Sequence, residues 1–321
     1  MHKTRFILWM ISIGTVAFCA GAAFGQDYPN KPVRFVVGSA GGSTDFMARL
    51  IAPGLSGSLG QPVVVQNRGG GGLPQTLVAS ALPDGYTLLL NGSPVWLLPF
   101  LQDKVSYDPV LDFVTITLTT SSPNVLVVHP SMSANSVKEL IALAKAKPGQ
   151  LNFSSSPAGS SPHLAGELFK SMAGVNMVWV PYKSASPALI ALLGGEVQLM
   201  FATPLSAAPH VKAGRLRALA VTSPRPTPVA PGLPTVAASG LPGYESRSMQ
   251  AIWAPAKTPA SIIKRLNEEI VRVLNQPEVK QKVFDFGSEV VGNSPAEALA
   301  IIKADMARMG RVIRDAGIRA E

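Results

Sequence analysis

The feature that most restricts the fold is a unit that occurs twice: an apolar strand, a loop of glycine and hydroxyl residues, and a helix. In the first copy residues 33–37 form an apolar run suited to a buried parallel strand, and Met47, Leu50, Ile51 and Leu55 fall at helical spacing. Ser39, Ala40, Gly41, Gly42, Ser43 and Thr44 lie between them. Glycine lets the backbone approach a ligand closely, and the first N–H groups of a helix have no partner inside it. Such a loop suits an anion, a carboxylate as well as a phosphate, because several donors and the positive end of the helix dipole meet there. The alternative is a plain tight turn with Thr44 or Asp45 as the helix N-cap. In the second copy residues 151–155 are the strand, Ser156, Gly159, Ser160 and Ser161 belong to the loop, and Pro162 sits in the first turn of a helix through Met172. The pair looks like one ligand cradle in each of two lobes.

Strands are also expected at residues 62–66, 86–90, 115–120, 124–128, 177–181, 197–201, 217–222, 249–254 and 289–291. Helices are expected after Leu73-Pro74 and at 137–147, 187–193, 205–212, 259–275 and 294–316, with Ser136 and Glu139 forming a capping box for the helix at 137. Pro53-Gly54 should kink or shorten the first helix. Residues 115–120 alternate in polarity. The succession of strands and helices argues for parallel sheets covered on both faces. Ligands of such sheets bind beyond the carboxyl ends of strands, so Ser93, closing the third strand, is a candidate to share a cleft with the two loops. Residues 224–244 carry prolines at 224, 226, 228, 231, 234 and 242 and read as a surface excursion.

The N-terminus reads as an export signal: His2, Lys3 and Arg5, an apolar segment at 6–20, and small residues with a cut expected after Gly25. An uncleaved anchor is the alternative. No later run is long and apolar enough to span a bilayer. Cys19, the only cysteine, lies inside this segment, and the bulky Phe18 before it argues against lipid attachment. The exported chain is therefore expected to lack disulfides and thiolate metal sites. It is long enough for one large or two ordinary domains. The formal charge of the whole chain is +9, but its basic residues are scattered, which argues against nucleic acid as a partner. General solubility accounts for a scattered charge.

Two chemistries need weighing. No G-x-S-x-G elbow is present, yet His163 follows Ser160 and Ser161 and stands four residues before Glu167. An exported serine-type hydrolase built on these residues is one reading; a histidine that only braces the loop is the other. The four-glycine run at 69–72 lacks the Gly-Lys-Ser/Thr ending of a P-loop, and no strand-linked G-x-G-x-x-G occurs. Lys183 is placed either to meet an anion in a cleft or to sit solvated on the surface.

Several segments, in order, resemble a known family: VRFVVGSAGGSTDFMAR, QPVVVQNRGGGG, PDGYTLLL, SSSPAGSSPHLAGELF, VPYKSASPALIALLGGEVQLMF, AAPHVKAGRLRALAVTSPRP, LPTVAASGLPGYE and APAKTP. They are similar to the substrate-binding proteins of tripartite tricarboxylate transporters, the Bug receptors, across nearly the whole exported chain. The resemblance implies a periplasmic, two-lobed α/β binding protein, each lobe a mainly parallel sheet flanked by helices and joined by two hinge strands. Lobe 1 would comprise residues 26–124 and 250–321, and lobe 2 residues 125–249. It further implies a monomeric receptor and not an enzyme, without cofactor or metal, which hands a small carboxylate to a two-subunit membrane permease. By motif position the ligand would meet the loop 39–44, the loop 156–161, and the turn holding Lys183, Ser184 and Ala185, through loop amides, hydroxyls and bridging waters. Thr203, after Phe201-Ala202, stands near where many relatives carry an aspartate, so a carboxylate without an amine is expected. Gly38-Ser39, Gly72-Leu73-Pro74 and Ser184-Ala185-Ser186 depart from the usual pattern. The candidate loops contain no arginine, so neutral dipoles should do most of the binding.

Overall fold

Apolar strands that each feed a helix build both halves of the molecule. The computed structural model describes residues 28–69 and 72–319. Residues 1–25, expected to be an export signal and holding Cys19, and Gly70 and Gly71 of the glycine run lie outside the described residues. In chain order the elements are β1 (Val33–Val37), α1 (Ser43–Leu59), β2 (Val63–Asn67), α2 (Leu73–Ala79), β3 (Thr87–Gly92), α3 (Pro94–Leu101) and β4 (Phe113–Pro123). Next come β5 (Val125–Val128), α4 (Val137–Ala146), β6 (Asn152–Ser155), α5 (Ser161–Ala173), β7 (Val178–Pro181), α6 (Ala185–Leu193), β8 (Leu199–Ala202), α7 (Pro204–Lys212) and β9 (Arg217–Val221). The chain ends with β10 (Arg247–Pro255), α8 (Ala260–Leu274), α9 (Pro277–Asp285), β11 (Glu289–Val290) and α10 (Pro295–Asp315).

One sheet has the order β11-β4-β10-β3-β1-β2 and the other β7-β6-β8-β5-β9. Each is parallel through its strand–helix–strand units, β1 with β2 and β3, β6 with β7 and β8. Each turns antiparallel where a strand arrives from the other sheet: β10 against β3 and β4, and β5 against β8 and β9. The two connections run side by side. Asn124, between β4 and β5, donates its N–H to Thr222 Oγ1 at 2.7 Å, and Thr222 Oγ1 donates to the carbonyl of Ser246, just before β10, at 2.6 Å. All three residues are buried.

The sequence pattern holds through most helices. In α8, Ile263, Leu266, Ile270 and Val273 are buried at helical spacing while Lys264 and Glu268 stay exposed. At Pro53-Gly54 the expectation of a shortened helix is corrected: α1 continues to Leu59. A Cβ on Gly54 would lie 2.9 Å from Val273 Cγ1, so this glycine lets α1 touch α8. The alternating residues 115–120 fall within β4. β4 lies between β11 and β10, packs against α8 and α10, and buries its threonines, whose hydroxyls find acceptors, Thr117 at Asn293 O (2.8 Å) and Thr119 at Gln250 O (3.2 Å). Two helices, α3 and α9, have no counterpart in the sequence reading. Val95, Trp96, Leu97 and Leu101 of α3 are buried, which leaves too few polar positions for an amphipathic signal. Residues 224–244 are irregular apart from the Val221–Thr235 bridge, and Tyr244 anchors them by donating to Ala165 O at 2.8 Å. No helix among the described residues is long and apolar enough to cross a membrane.

Candidate functional site

The two glycine loops adopt one geometry. Gly41 and Gly159 both have φ of 76°, a left-handed conformation that favours glycine. Each donates its N–H to the side chain four residues on: Gly41 to Asp45 Oδ2 at 2.9 Å, Gly159 to His163 Nδ1 at 3.1 Å. Gly42 N–H turns back to Ser39 O, and Ser160 N–H to Pro157 O. The helices that follow, α1 and α5, have N-caps Gly42 and Ser160 that make no side-chain capping bond. Helices such as α4, α7 and α10 are capped by Ser136, Thr203 and Ser294. The first-turn donors of α1 and α5 are thus available to a ligand.

They open on one cavity of about 250 Å³ between the sheets. Ser43 and Thr44 line it from α1, Ser93 and Pro94 from the start of α3, and Gly159, Ser160 and Ser161 from α5. Six of the residues singled out in the sequence therefore meet: Ser43, Thr44, Ser93, Gly159, Ser160 and Ser161. The others do not line it. Ser39, Ala40 and Gly42 are exposed, and Gly41 lines a separate groove with Phe46 and Phe286. Ser156 accepts from Ser160 Oγ and so supports the second loop from below. Lys183 and Ser184 are exposed at the end of β7, followed by Ala185. Thr203 spends its hydroxyl on Ser206, whose N–H and Oγ both engage it.

The remaining lining comes from places the motifs do not mark: Asn91 and Gly92 at the end of β3, Ser246 to Gln250 at the start of β10, and Asp305 with Met309 from α10. The two loops hold no arginine, as the sequence shows, but Arg247 lines the cavity from the hinge. Its Nη2 lies 2.5 Å from Glu245 Oε1; Glu245 also meets Arg308 at 3.2 Å, and Arg308 meets Asp305 at 3.0 Å. Asp305 Oδ2 accepts from Trp96 Nε1 at 2.8 Å. Burial raises the Asp305 carboxyl above the usual carboxylate range, against the opposing pull of Trp96 and Arg308. Three lining atoms, Ser93 Oγ, Arg247 Nε and Gln250 Oε1, are buried without a hydrogen-bond partner among the described residues. A charged pair immediately before an apolar strand, Glu245 and Arg247, is the sequence signal that could have found this wall.

The hydrolase reading finds no support. Neither Ser160 nor Ser161 bonds to His163 among the described residues: Ser160 Oγ donates to Ser156 O at 3.3 Å, and Ser161 Oγ accepts from Asn124 Nδ2 at 3.0 Å. The buried His163 ring stacks on Trp179 at 3.9 Å, and burial lowers its pKa to about 4. With Nδ1 committed to Gly159, the neutral imidazole braces the loop.

Residues 47–318 match the model of the tripartite tricarboxylate transporter family receptor. The chain is 34% identical to the protein BugT of Bordetella pertussis over 324 residues, covering 99% of each chain. Among solved structures it is similar to Rpa4515 of R. palustris with adipate, at 37% identity and a TM-score of 0.73, covering 91% of this chain and 99% of that one. It is likewise similar to MatC of Rhodopseudomonas palustris with bound malate, at 30% identity and a TM-score of 0.68, covering 89% and 100%.

Proposed function

The chain belongs to the tripartite tricarboxylate transporter receptor family, and we propose that it captures a small carboxylate in the cavity between its lobes. One observation carries this reading: two helices from different sheets, α1 and α5, open uncapped onto a single cavity. The lobes are residues 26–124 with 250–321, and 125–249, hinged where Asn124, Thr222 and Ser246 are bonded together. The volume suits a small acid, since pockets for drug-sized molecules begin at about 300 Å³. Proteins similar to this one hold adipate and malate. The chain works as a monomeric receptor and not as an enzyme, exported by its first 25 residues and delivering its ligand to a two-subunit membrane permease.

The test is a panel of small carboxylates against the exported protein by calorimetry and thermal melting. A receptor gains melting temperature and returns the compound unchanged; turnover would support the hydrolase, and silence toward every acid would sink the reading. With an acid that binds, Thr44→Ala and Ser160→Ala should each weaken affinity about tenfold or more, the worth of a hydrogen bond to a charged group, with little change in the unliganded melting point. Undiminished binding by both variants removes these hydroxyls from the site.

A further inference from the structure

One residue joins the hinge to the cradle on α5. Asn124 stands buried between β4 and β5 with both backbone groups tied to Thr222: its N–H donates to Oγ1 at 2.7 Å, and its carbonyl accepts the Thr222 N–H at 2.9 Å. Its side chain makes one hydrogen bond among the described residues. Nδ2 donates to Ser161 Oγ at 3.0 Å, and Ser161 is the half-buried first residue of α5, in the cavity wall beside Gly159 and Ser160. An amide NH2 can only donate, whereas a hydroxyl has one proton and two lone pairs. Because Asn124 occupies a lone pair, the Ser161 proton is left over, and no acceptor among the described residues takes it. A hydroxyl that accepts one hydrogen bond is polarised into a stronger donor for the next.

We propose that Asn124 is a positioning residue for ligand binding: its side-chain amide holds Ser161 Oγ as an acceptor, so that the hydroxyl proton is presented to an anion at the N-terminus of α5. The assignment rests on the receptor reading above. A carboxylate offers only acceptors, so it requires the hydroxyl turned this way. Asn124→Asp would reverse it, since a carboxylate at the hinge claims the proton and leaves only lone pairs for the ligand. Asn124→Leu keeps a similar shape but lets the hydroxyl rotate. The direction of this donor is thus set where the chain passes between the lobes, and not by the loop 156–161 itself.

The experiment is a double-mutant cycle read by calorimetry with succinate, malate and adipate as probes. Ser161→Ala should weaken binding of a probe about tenfold or more, the effect of one hydrogen bond to a charged group. Asn124→Leu should weaken it by about three- to tenfold, the range for one neutral hydrogen bond, and should add no further loss in the Ser161→Ala background. A residue that matters only to the hinge would lose the same factor in both backgrounds, and that result overturns the assignment, as does undiminished affinity in Ser161→Ala. Should Asn124→Leu not fold, the side-chain amide resonances of Asn124 carry the test: they should shift when a probe is added to the native protein and stay in place when it saturates Ser161→Ala. Resonances unmoved in the native protein, or moved equally in both, overturn the assignment while leaving a carboxylate receptor in place. Failure of all three probes to bind overturns the receptor reading with it.

Discussion

The loops 39–44 and 156–161 share a backbone and differ in what holds it. In both, a left-handed glycine gives its N–H to the third helical residue, but that residue is Asp45 in α1 and His163 in α5. Asp45 is ionised and tied to Asn67 and Arg49, and the Gly41 N–H, the strongest influence on it, draws its pKa below the usual carboxylate value. His163 is neutral and packed between Phe153 and Trp179. A carboxylate in the first turn uses part of the helix dipole for itself, whereas an uncharged imidazole leaves it to the ligand. The cradle on α5 should therefore be the stronger anion site, although the two look alike in backbone.

The largest test of this difference is pH. An unfolded chain protonates His163 near its ordinary value of 6.5, but the folded protein does so only near 4, so stability is full above 6.5 and falls as pH drops toward 4. A shift of this size corresponds to about 3 kcal/mol. Glu167, 3.8 Å from the ring, and Lys170 are the charged groups that face it. Denaturant titrations should show that loss in the native protein and its absence in His163→Gln. Asp45, with its pKa lowered, is at the opposite end of the scale, and its contribution is lost only in stronger acid, below the ordinary carboxylate range. An unchanged slope in His163→Gln would show the imidazole to be charged in the fold and dissolve the contrast.

A smaller effect separates the glycines themselves. Alanine in the left-handed region costs about 1–2 kcal/mol at either position. At Gly41 the added Cβ meets nothing within 4 Å, but at Gly159 it lies 2.8 Å from Leu101 Cδ1, across the cleft on α3. Gly41→Ala should lower the melting temperature and leave affinity nearly intact. Gly159→Ala should lower both, and Leu101→Ala should recover part of the affinity in that background. Equal affinities for the two single variants would mean that the Leu101 contact is not part of the closed, ligand-bound arrangement.

The smallest effect has the opposite sign. Asp45→Asn keeps an acceptor for Gly41 but removes the negative charge from the N-terminus of α1, so carboxylate affinity should rise by about 0.3–1 kcal/mol, read by calorimetry. A drop would mean that Asp45 acts mainly by holding the loop.

Local patterns explain why so much was legible. Val33–Val37, the glycines at 41 and 159 and the Ser136 cap of α4 are fixed by interactions within a few residues, and these appeared where the sequence placed them, although Glu139 answers the N–H of Asn135 and so leaves the expected capping box half formed. The helix at Pro94–Leu101 was not legible, because a segment buried on nearly every side carries no period to read. Thr203 shows a related ambiguity: a hydroxyl after a strand serves a cap as well as a cleft, and here the N–H of Ser206 engages it.

What the sequence determined by itself was the repeated strand–loop–helix unit and the pair of anion cradles it builds, since glycine conformation and helix ends are local properties. What only the tertiary structure decided was the far wall. Arg247 and Asp305 are distant in the chain and meet because β10 crosses back beside β3 and β4 and α10 closes over them. Their burial, and with it the unpartnered Nε of Arg247, the Glu245–Arg308 pairing and the raised Asp305 carboxyl, exists only once those elements exclude water.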